Sequence, residues 1–331
     1  MTIRNKQWLL QRRPQGEAQE TDFELKETDV PPLADGQLLI KVHSLSLDPY
    51  MRGRMDESKS YAAPQPLGEV MIGATVGEVV DSKHPKHGLG DWVVGPGGWQ
   101  QYFVSNGAGL QKIDTKAIPA SVYLSTAGMP GVTAWYGLNR ICQPKPGETV
   151  VVSAASGAVG SVVGQLARLL GCRAVGIAGG KVKCDYVKGE LGFDACVDYK
   201  SPDFNDSFKA ATPKGIDAVF ENVGGMTLDA ELARMNAFGR IAVCGLIAGY
   251  SGGEIAIRNT RSILVNRLKI EGFIVSEHLD LWPQALAELG KLVVEGKLRY
   301  RESVAQGIES APRAFLGMLK GENFGKQLVR M

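Results

Sequence analysis

The feature that most restricts this chain is a short loop, Ala155-Ser156-Gly157-Ala158-Val159-Gly160, set between two segments of different periodicity. Before it, Thr149-Val150-Val151-Val152-Ser153-Ala154 is a continuous apolar run, the pattern of a strand buried on both faces. After it, Val159, Val162, Val163, Leu166, Leu169 and Leu170 recur at helical spacing, and Gly171 ends the helix. The alternation continues downstream. Strands are expected at 173–178, 195–199, 216–220 and 239–244, with helices at 183–191 and 227–235. Strands alternating with helices predict an α/β chain with a doubly wound parallel sheet.

The loop also carries a chemical expectation. A dinucleotide needs a site for two phosphates, and amides at a helix N-terminus supply it. Glycines let the chain turn sharply and let the pyrophosphate approach. Here the pattern is Ala155-x-Gly157-x-x-Gly160, with alanine in place of the usual first glycine. Gly157 is expected under the pyrophosphate and Gly160 at the helix–strand contact, while Ala155, Ala158 and Val159 complete the loop. The bare alternative is a tight turn with no ligand; the following strands argue against it. At the end of the second strand the chain reads Ala178-Gly179-Gly180-Lys181-Val182-Lys183. A carboxylate there would bind ribose hydroxyls and repel a 2′-phosphate. None is present and two lysines follow, which favours NADP(H) over NAD(H).

The first third has another texture. Strands are expected at 37–43, 73–80, 91–95 and 99–104, separated by Gly- and Pro-bearing turns, as in a small barrel. A further helix is expected at 282–295 and short strands at 301–304 and 326–330. The 37 basic and 35 acidic residues nearly balance, which argues against nucleic-acid binding. No apolar run approaches membrane-spanning length. The N-terminal apolar patch is too short for a signal-peptide core. Cys142, Cys172, Cys184, Cys196 and Cys244 are scattered and odd in number, so a disulfide framework is not expected and a reducing, cytoplasmic compartment is.

Several separated motifs then point to a family: Leu47-Asp48-Pro49-Tyr50-Met51-Arg52-Gly53-Arg54-Met55, Gly128-Met129-Pro130-Gly131-Val132-Thr133-Ala134, Phe220-Glu221-Asn222-Val223-Gly224-Gly225, Cys244-Gly245-Leu246-Ile247 with Tyr250, Glu271-Gly272-Phe273-Ile274-Val275, and Glu322-Asn323-Phe324-Gly325-Lys326. With the loop above, they resemble the zinc-independent medium-chain dehydrogenases/reductases over nearly the whole chain. The resemblance is to the group of leukotriene B4 dehydrogenase/prostaglandin reductase, alkenal double-bond reductases and curcumin reductase. It implies a GroES-like catalytic domain from 1–124 and 292–331, a Rossmann domain from 125–291, and often a homodimer. It implies that Lys183 and Tyr199, beside Gly179, hold the 2′-phosphate, and that Asn323 approaches the diphosphate. It further implies that Asn222, Cys244, Phe273, Ile274 and Val275 line the nicotinamide side. One departure is local: Ile247-Ala248-Gly249-Tyr250-Ser251 lacks the Ser and Asn that commonly flank the tyrosine, so a differently shaped loop is expected.

A zinc alcohol dehydrogenase needs a thiolate and an imidazole in its catalytic domain. No cysteine precedes Cys142, and the stretch matching the usual Gly-His-Glu element reads Gly68-Glu69-Val70, so no metal is expected. Reduction of a plain ketone builds charge on oxygen at once and favours a Lewis acid. Reduction of a carbon–carbon double bond conjugated to a carbonyl spreads that charge as an enolate, and hydrogen bonds plus protonation suffice. The expected activity is therefore NADPH-dependent reduction of α,β-unsaturated ketones or aldehydes. A quinone oxidoreductase and a non-catalytic NADPH-binding protein are the alternatives. Tyr250 is the candidate donor near the enolate, or else an aromatic wall with the nicotinamide ribose hydroxyl as donor. Tyr50 is a candidate substrate contact or a core tyrosine. Met129 is a candidate pocket residue or a gap filler.

Overall fold

The computed structural model describes residues 2–250, 252 and 255–331. The chain separates into two compact units, Met1–Leu124 with Glu302–Met331, and Ser125–Arg301. Sequence reading placed the return to the first unit at 292; the structure places it at Glu302. The reason is local. The helix expected at 282–295 packs on the helix Met129–Tyr136 of the second unit, and Trp135 Nε1 donates to Glu288 across that contact at 2.6 Å.

Along the chain the strands are β1 (Arg4–Leu10), β2 (Phe23–Asp29), β3 (Leu38–Ser46), β4 (Thr75–Ser82), β5 (Trp92–Gly95), β6 (Tyr102–Ser105), β7 (Gln111–Lys112), β8 (Thr149–Val152), β9 (Arg173–Ala178), β10 (Ala195–Asp198), β11 (Ile216–Glu221), β12 (Met235–Val243), β13 (Lys269–Gly272), β14 (Glu302–Gln306) and β15 (Lys326–Arg330). The helices are α1 (Tyr50–Arg54), α2 (Met129–Tyr136), α3 (Gly160–Leu169), α4 (Lys181–Gly189), α5 (Phe204–Ala211), α6 (Gly225–Leu232), α7 (Arg261–Val265), α8 (Trp282–Val294) and α9 (Ala311–Leu319).

In the second unit β8 to β13 form one parallel sheet in the order β10-β9-β8-β11-β12-β13. The chain starts in the middle, winds outward through β9 and β10, then returns to β11 on the other side of β8. That is the Rossmann order, and its switch point lies between β8 and β11. Every residue of β8 is buried, as its unbroken apolar run requires. Val151, Val175, Ile177, Val219 and Ile241 pack with Phe204 and Phe208 of α5 in one core. The helix expected at 227–235 ends earlier, at Leu232. Met235 instead begins β12 and buries in that core, a tertiary preference that outweighs its helix propensity.

The first unit is the β-rich, GroES-like one. Its larger sheet runs β14-β15-β3-β4-β5-β7, with β6 also on β3. One edge of β3 is divided: Leu38–Lys41 pairs with β6 and Ser44–Ser46 with β15. Two irregularities in the β3–β4 register bend the strand enough to serve both. Beside this sheet, Phe23 stacks on Trp99 with ring centroids 5.2 Å apart, and Phe315 of α9 meets both edge-on. The β1–β2 hairpin, α2 and α9 are elements that sequence periodicity did not announce.

Candidate functional site

The loop after β8 makes its turn at Ala154, whose φ of 50° is in the left-handed region. Ala155 is not in that region, so alanine replaces the usual first glycine without backbone strain. The space for its methyl comes from β9: a Cβ on Gly176 would lie 2.7 Å from Ala155 Cβ. Ala155 N–H donates to Ile177 O at 3.0 Å, tying the loop to β9. A Cβ on Gly160 would lie 2.4 Å from Ala154 O, so this glycine brings α3 against the loop backbone. Gly157, Ala158 and Val159 are only partly covered. The amides of Ser161, Val162 and Val163 donate to Gly157 O and Val159 O of the loop, and the positive end of the α3 dipole at this turn suits an anion.

At the end of β9, Gly180 takes a φ of 94° and opens α4, and its N–H donates to Asp198 Oδ1 at 2.8 Å. The same oxygen accepts from Lys200 N–H at 2.9 Å. The Asp198 carboxylate is thus bound to backbone amides. A Cβ on Gly179 would lie 2.9 Å from the Tyr199 ring and 3.2 Å from Lys200 Cε. Lys200 Nζ is 5.9 Å from the Tyr199 ring centroid. Burial first, and then the charge of Lys200, hold the half-buried Lys183 amine below its usual range. Lys183, Tyr199 and Lys200 therefore gather beside Gly179. Lys200 was missed from sequence; its signal was its place directly after Tyr199, but a loop lysine acquires meaning only once β10 lies beside β9. Lys181 is exposed and pairs with Asp185.

At the switch point, Asn222 N–H donates to Ser153 Oγ and its Nδ2 to Ser153 O, both at 2.8 Å, joining the ends of β11 and β8. Beneath this turn the buried Glu221 accepts N–H bonds from Val223 and Gly224. Glu231 of α6 is fully buried beside it. Desolvation first, and then the charge of Glu221, push its carboxyl well above the carboxylate range. Sequence reading missed this pair because a glutamate on a helix reads as solvated surface. Cys244 follows β12; burial and then Glu221 push its thiol up to about 12, so it is a neutral thiol. The Phe273 ring packs 5.2 Å from Tyr136 and edge-on to Phe220, while Phe273, Ile274 and Val275 run on from β13. Tyr250 ends the turn Ile247–Gly249, its hydroxyl 4.0 Å from where a Cβ on Gly245 would be. The neighbouring Ser251 lies outside the described residues. Met129 is half-buried at the start of α2.

In the first unit Tyr50 begins α1, half-buried. Desolvation, then Asp48 and Tyr61, raise its hydroxyl further above the usual phenol range, so it can only donate a proton as the neutral phenol. Its loop is anchored from beneath: Lys326 Nζ donates to Leu47 O at 2.8 Å and to Asp48 Oδ1 at 2.5 Å, and Ser46 Oγ donates to the other Asp48 oxygen. Asn323 sits in the turn before β15 with Nδ2 on Gly325 O at 2.8 Å. Among the described residues no three His, Cys, Asp or Glu side chains are grouped to hold a metal ion.

The sheet order, the glycine loop and the cationic cluster at the tip of β9 define a Rossmann-type dinucleotide-binding chain. Two family models match it, an N-terminal domain of oxidoreductase over residues 6–113 and a zinc-binding dehydrogenase domain over 158–291. An NADPH-dependent curcumin reductase of Escherichia coli is 45% identical over 99% of this chain and 97% of its own length. An NADP(+)-dependent 2-alkenal reductase of Nicotiana tabacum is 42% identical over 99% of this chain and 97% of its own. The crystal structure of CurA in complex with NADPH from Vibrio vulnificus superposes with a TM-score of 0.94 at 43% identity, covering 98% of this chain and 99% of that one. The chain belongs to the zinc-independent medium-chain dehydrogenases/reductases, in the group of the curcumin, prostaglandin and 2-alkenal reductases.

Proposed function

We propose that the chain is an NADPH-dependent reductase of the carbon–carbon double bond of α,β-unsaturated ketones and aldehydes. The observation that carries this reading is the cluster of Lys183, Tyr199 and Lys200 at the end of β9, beside a loop whose glycines leave room for phosphate. Two cations gathered beside Gly179 fit a 2′-phosphate better than a bare ribose. The near-full-length likeness to NADPH-dependent reductases supports the same cofactor.

NADPH, when bound, supplies the hydride that reaches the substrate β-carbon. Ala158 and Val159 would present loop amides to its phosphates, with Ala155, Gly157 and Gly160 setting the loop's shape; the Gly157 N–H donates to Ala154 O at 2.9 Å. Asn222, Cys244, Phe273, Ile274 and Val275 form the nicotinamide side. Asn323 is our candidate for the diphosphate contact. The negative charge that develops on the carbonyl oxygen as an enolate is stabilised by hydrogen-bond donation from Tyr250, and Tyr50 and Met129 contact the substrate. Tyr50, its hydroxyl raised above the usual phenol range by burial, remains a neutral donor through the physiological range. The first unit acts as the catalytic domain and the second as the nucleotide domain. The protein works as a homodimer in a reducing cytoplasm. The exposed edge strand β13, with Ile270, Leu264 and Val265 uncovered beside it, supports the pairing.

The test is NADPH oxidation with a simple enone such as 1-nonen-3-one, compared with a quinone. Turnover that favours the enone is expected; turnover of the quinone alone, or of neither across a broad enone panel, overturns the reading. Lys183→Ala should cost about 1.5–3 kcal/mol of NADPH binding, roughly 10- to 150-fold in Kd, with NADH binding little changed. Equal losses for both cofactors would misplace the phosphate.

A further inference from the structure

The strip that follows β13 is held by side chains from α2 and α8. Strand β13 ends at Gly272, and the next amide, Phe273 N–H, reaches Val243 O only at 3.3 Å. Beyond that point the contacts are with side chains. Tyr136, the last residue of α2, meets two rings that lie five residues apart in the chain. The Phe273 ring is 5.2 Å away at an interplanar angle of 34°, and the His278 ring is 4.2 Å away and stacked at 17°. Between them the chain makes the tight turn Val275–Glu277, against which α2 packs. The buried Val275 accepts at its carbonyl from Trp282 Nε1 of α8 at 3.1 Å and from His278 N–H at 3.2 Å.

Tyr136 stands on a fixed base. Helix α2 runs directly into a π-helical turn, Gly137–Cys142, a form that recurs at functional sites. Cys142 S–H donates to Val219 O of β11 at 3.3 Å, and Cys142 O accepts from Arg240 Nε of β12 at 2.8 Å. The turn is thus tied to two central strands of the parallel sheet. Its first residue is a glycine for a steric reason. A Cβ on Gly137 would lie 2.4 Å from Phe220 Cε2 and 3.0 Å from Phe273 Cζ, so the bare backbone gives both rings their seat.

We propose that Tyr136 is a positioning residue for hydride transfer: by holding Phe273 and His278 it fixes the strip 273–275 that faces the nicotinamide. What the strip faces rests on the cofactor reading above; the contacts that hold it do not. Without the Tyr136 ring the strip keeps the Trp282 bond and the Phe220 contact but loses a partner at each end. Hydride transfer needs the donor and acceptor carbons about 3–3.5 Å apart, and a displacement of about 1 Å can cost roughly a hundredfold in rate. The groups assigned to the phosphates lie elsewhere, at the glycine loop and the tip of β9. A loosened strip should therefore slow the chemical step far more than it weakens NADPH. The ring makes both contacts, so phenylalanine should serve in place of tyrosine.

The experiment compares full-length wild type, Tyr136→Ala and Tyr136→Phe. Amide hydrogen exchange without cofactor reads the hold on the strip. Residues 273–278 should exchange faster in Tyr136→Ala and at the wild-type rate in Tyr136→Phe. Turnover of 1-nonen-3-one, with NADPH carrying deuterium at the transferred C4 position, reads the role. Tyr136→Ala should lose at least about tenfold in kcat with the NADPH Kd little changed. Its deuterium isotope effect should rise, because hydride transfer becomes slow relative to product release. Tyr136→Phe should restore both. Gly137→Ala displaces Phe273 instead of deleting its partner and should repeat the kcat loss, a second route should Tyr136→Ala fail to fold. Unchanged exchange at 273–278 in folded Tyr136→Ala overturns the proposal, as does faster exchange with wild-type kcat and isotope effect. Equal kcat losses in the Phe and Ala variants also overturn it, since the hydroxyl would then be the acting group. Wild type that binds no NADPH and reduces no enone refutes the function reading, and the positioning role with it, while the exchange result still decides whether Tyr136 holds the strip.

Discussion

The two glycines of the phosphate loop should respond in opposite ways to the same change. Neither has a positive φ, so alanine is conformationally allowed at both. At Gly160 the added Cβ meets only backbone: Ala154 O at 2.4 Å, Ala154 C at 2.9 Å and Ala155 Cα at 3.0 Å. The first contact falls well inside an ordinary carbon–oxygen separation of about 3.3 Å or more. No side chain can swing away, so α3 or the loop must move. Overpacking of this kind costs about 1–3 kcal/mol, offset by at most about 1 kcal/mol of helix propensity. A net loss of about 1–2 kcal/mol lowers Tm by roughly 2–8 °C in a unit of this size. At Gly157 the only close atom is Ala154 O at 3.1 Å, which needs a shift of a few tenths of an ångström. Gly157→Ala should therefore melt within about 2 °C of wild type, since such a small adjustment costs a fraction of a kcal/mol. If the pyrophosphate docks over Gly157 as proposed, the methyl obstructs it, and losing about 1.5–3 kcal/mol of charge-assisted hydrogen bonding weakens NADPH by at least about tenfold. Thermal melts without cofactor and calorimetric titration with NADPH read the two effects separately. If Gly157→Ala is the one that melts early and still binds NADPH normally, the assignment of roles within the loop is wrong.

Other expectations concern single side chains. Tyr250→Phe should lower kcat on an enone with little change in NADPH binding; an unchanged kcat moves the donor elsewhere. Lys326→Met strands the Asp48 carboxylate in the core with only Ser46, and removing one partner of a buried ion pair costs about 3–5 kcal/mol, read as a lower Tm. Glu231 binds its proton more tightly folded than unfolded, so stability is greatest below the ordinary carboxylate range and declines as pH rises toward its raised value. Melts from about pH 5 to 8 should show this decline in wild type and a flatter profile in Glu231→Gln; parallel profiles would refute the buried proton.

What the sequence disclosed follows from what is local. The apolar β8, the glycines and the periodic α3 lie side by side in the chain, so the strand, turn and helix could be read directly. β9 matched at both ends because Gly171 and Gly179 bracket it. Features created by strand order could not be read this way. Lys200 joins Lys183 only because β10 returns beside β9, and Glu221 meets Glu231 only because α6 folds back on β11. The β1–β2 hairpin escaped because its strands carry charges on their exposed positions and lack clean alternation. The end of the second unit was misplaced because α8 has the amphipathic texture of any surface helix, and its partner α2 was itself unforeseen.

The shared edge of β3 imposes an order in time. Half of that edge is filled by β6, made early, and half by β15, from the far end of the chain. A ribosome delivers every strand of the second unit's sheet before it delivers β15, and their pairings close over shorter loops. The nucleotide-binding half can thus mature on the nascent chain while its neighbour waits, one edge half open, for the last strand to be released.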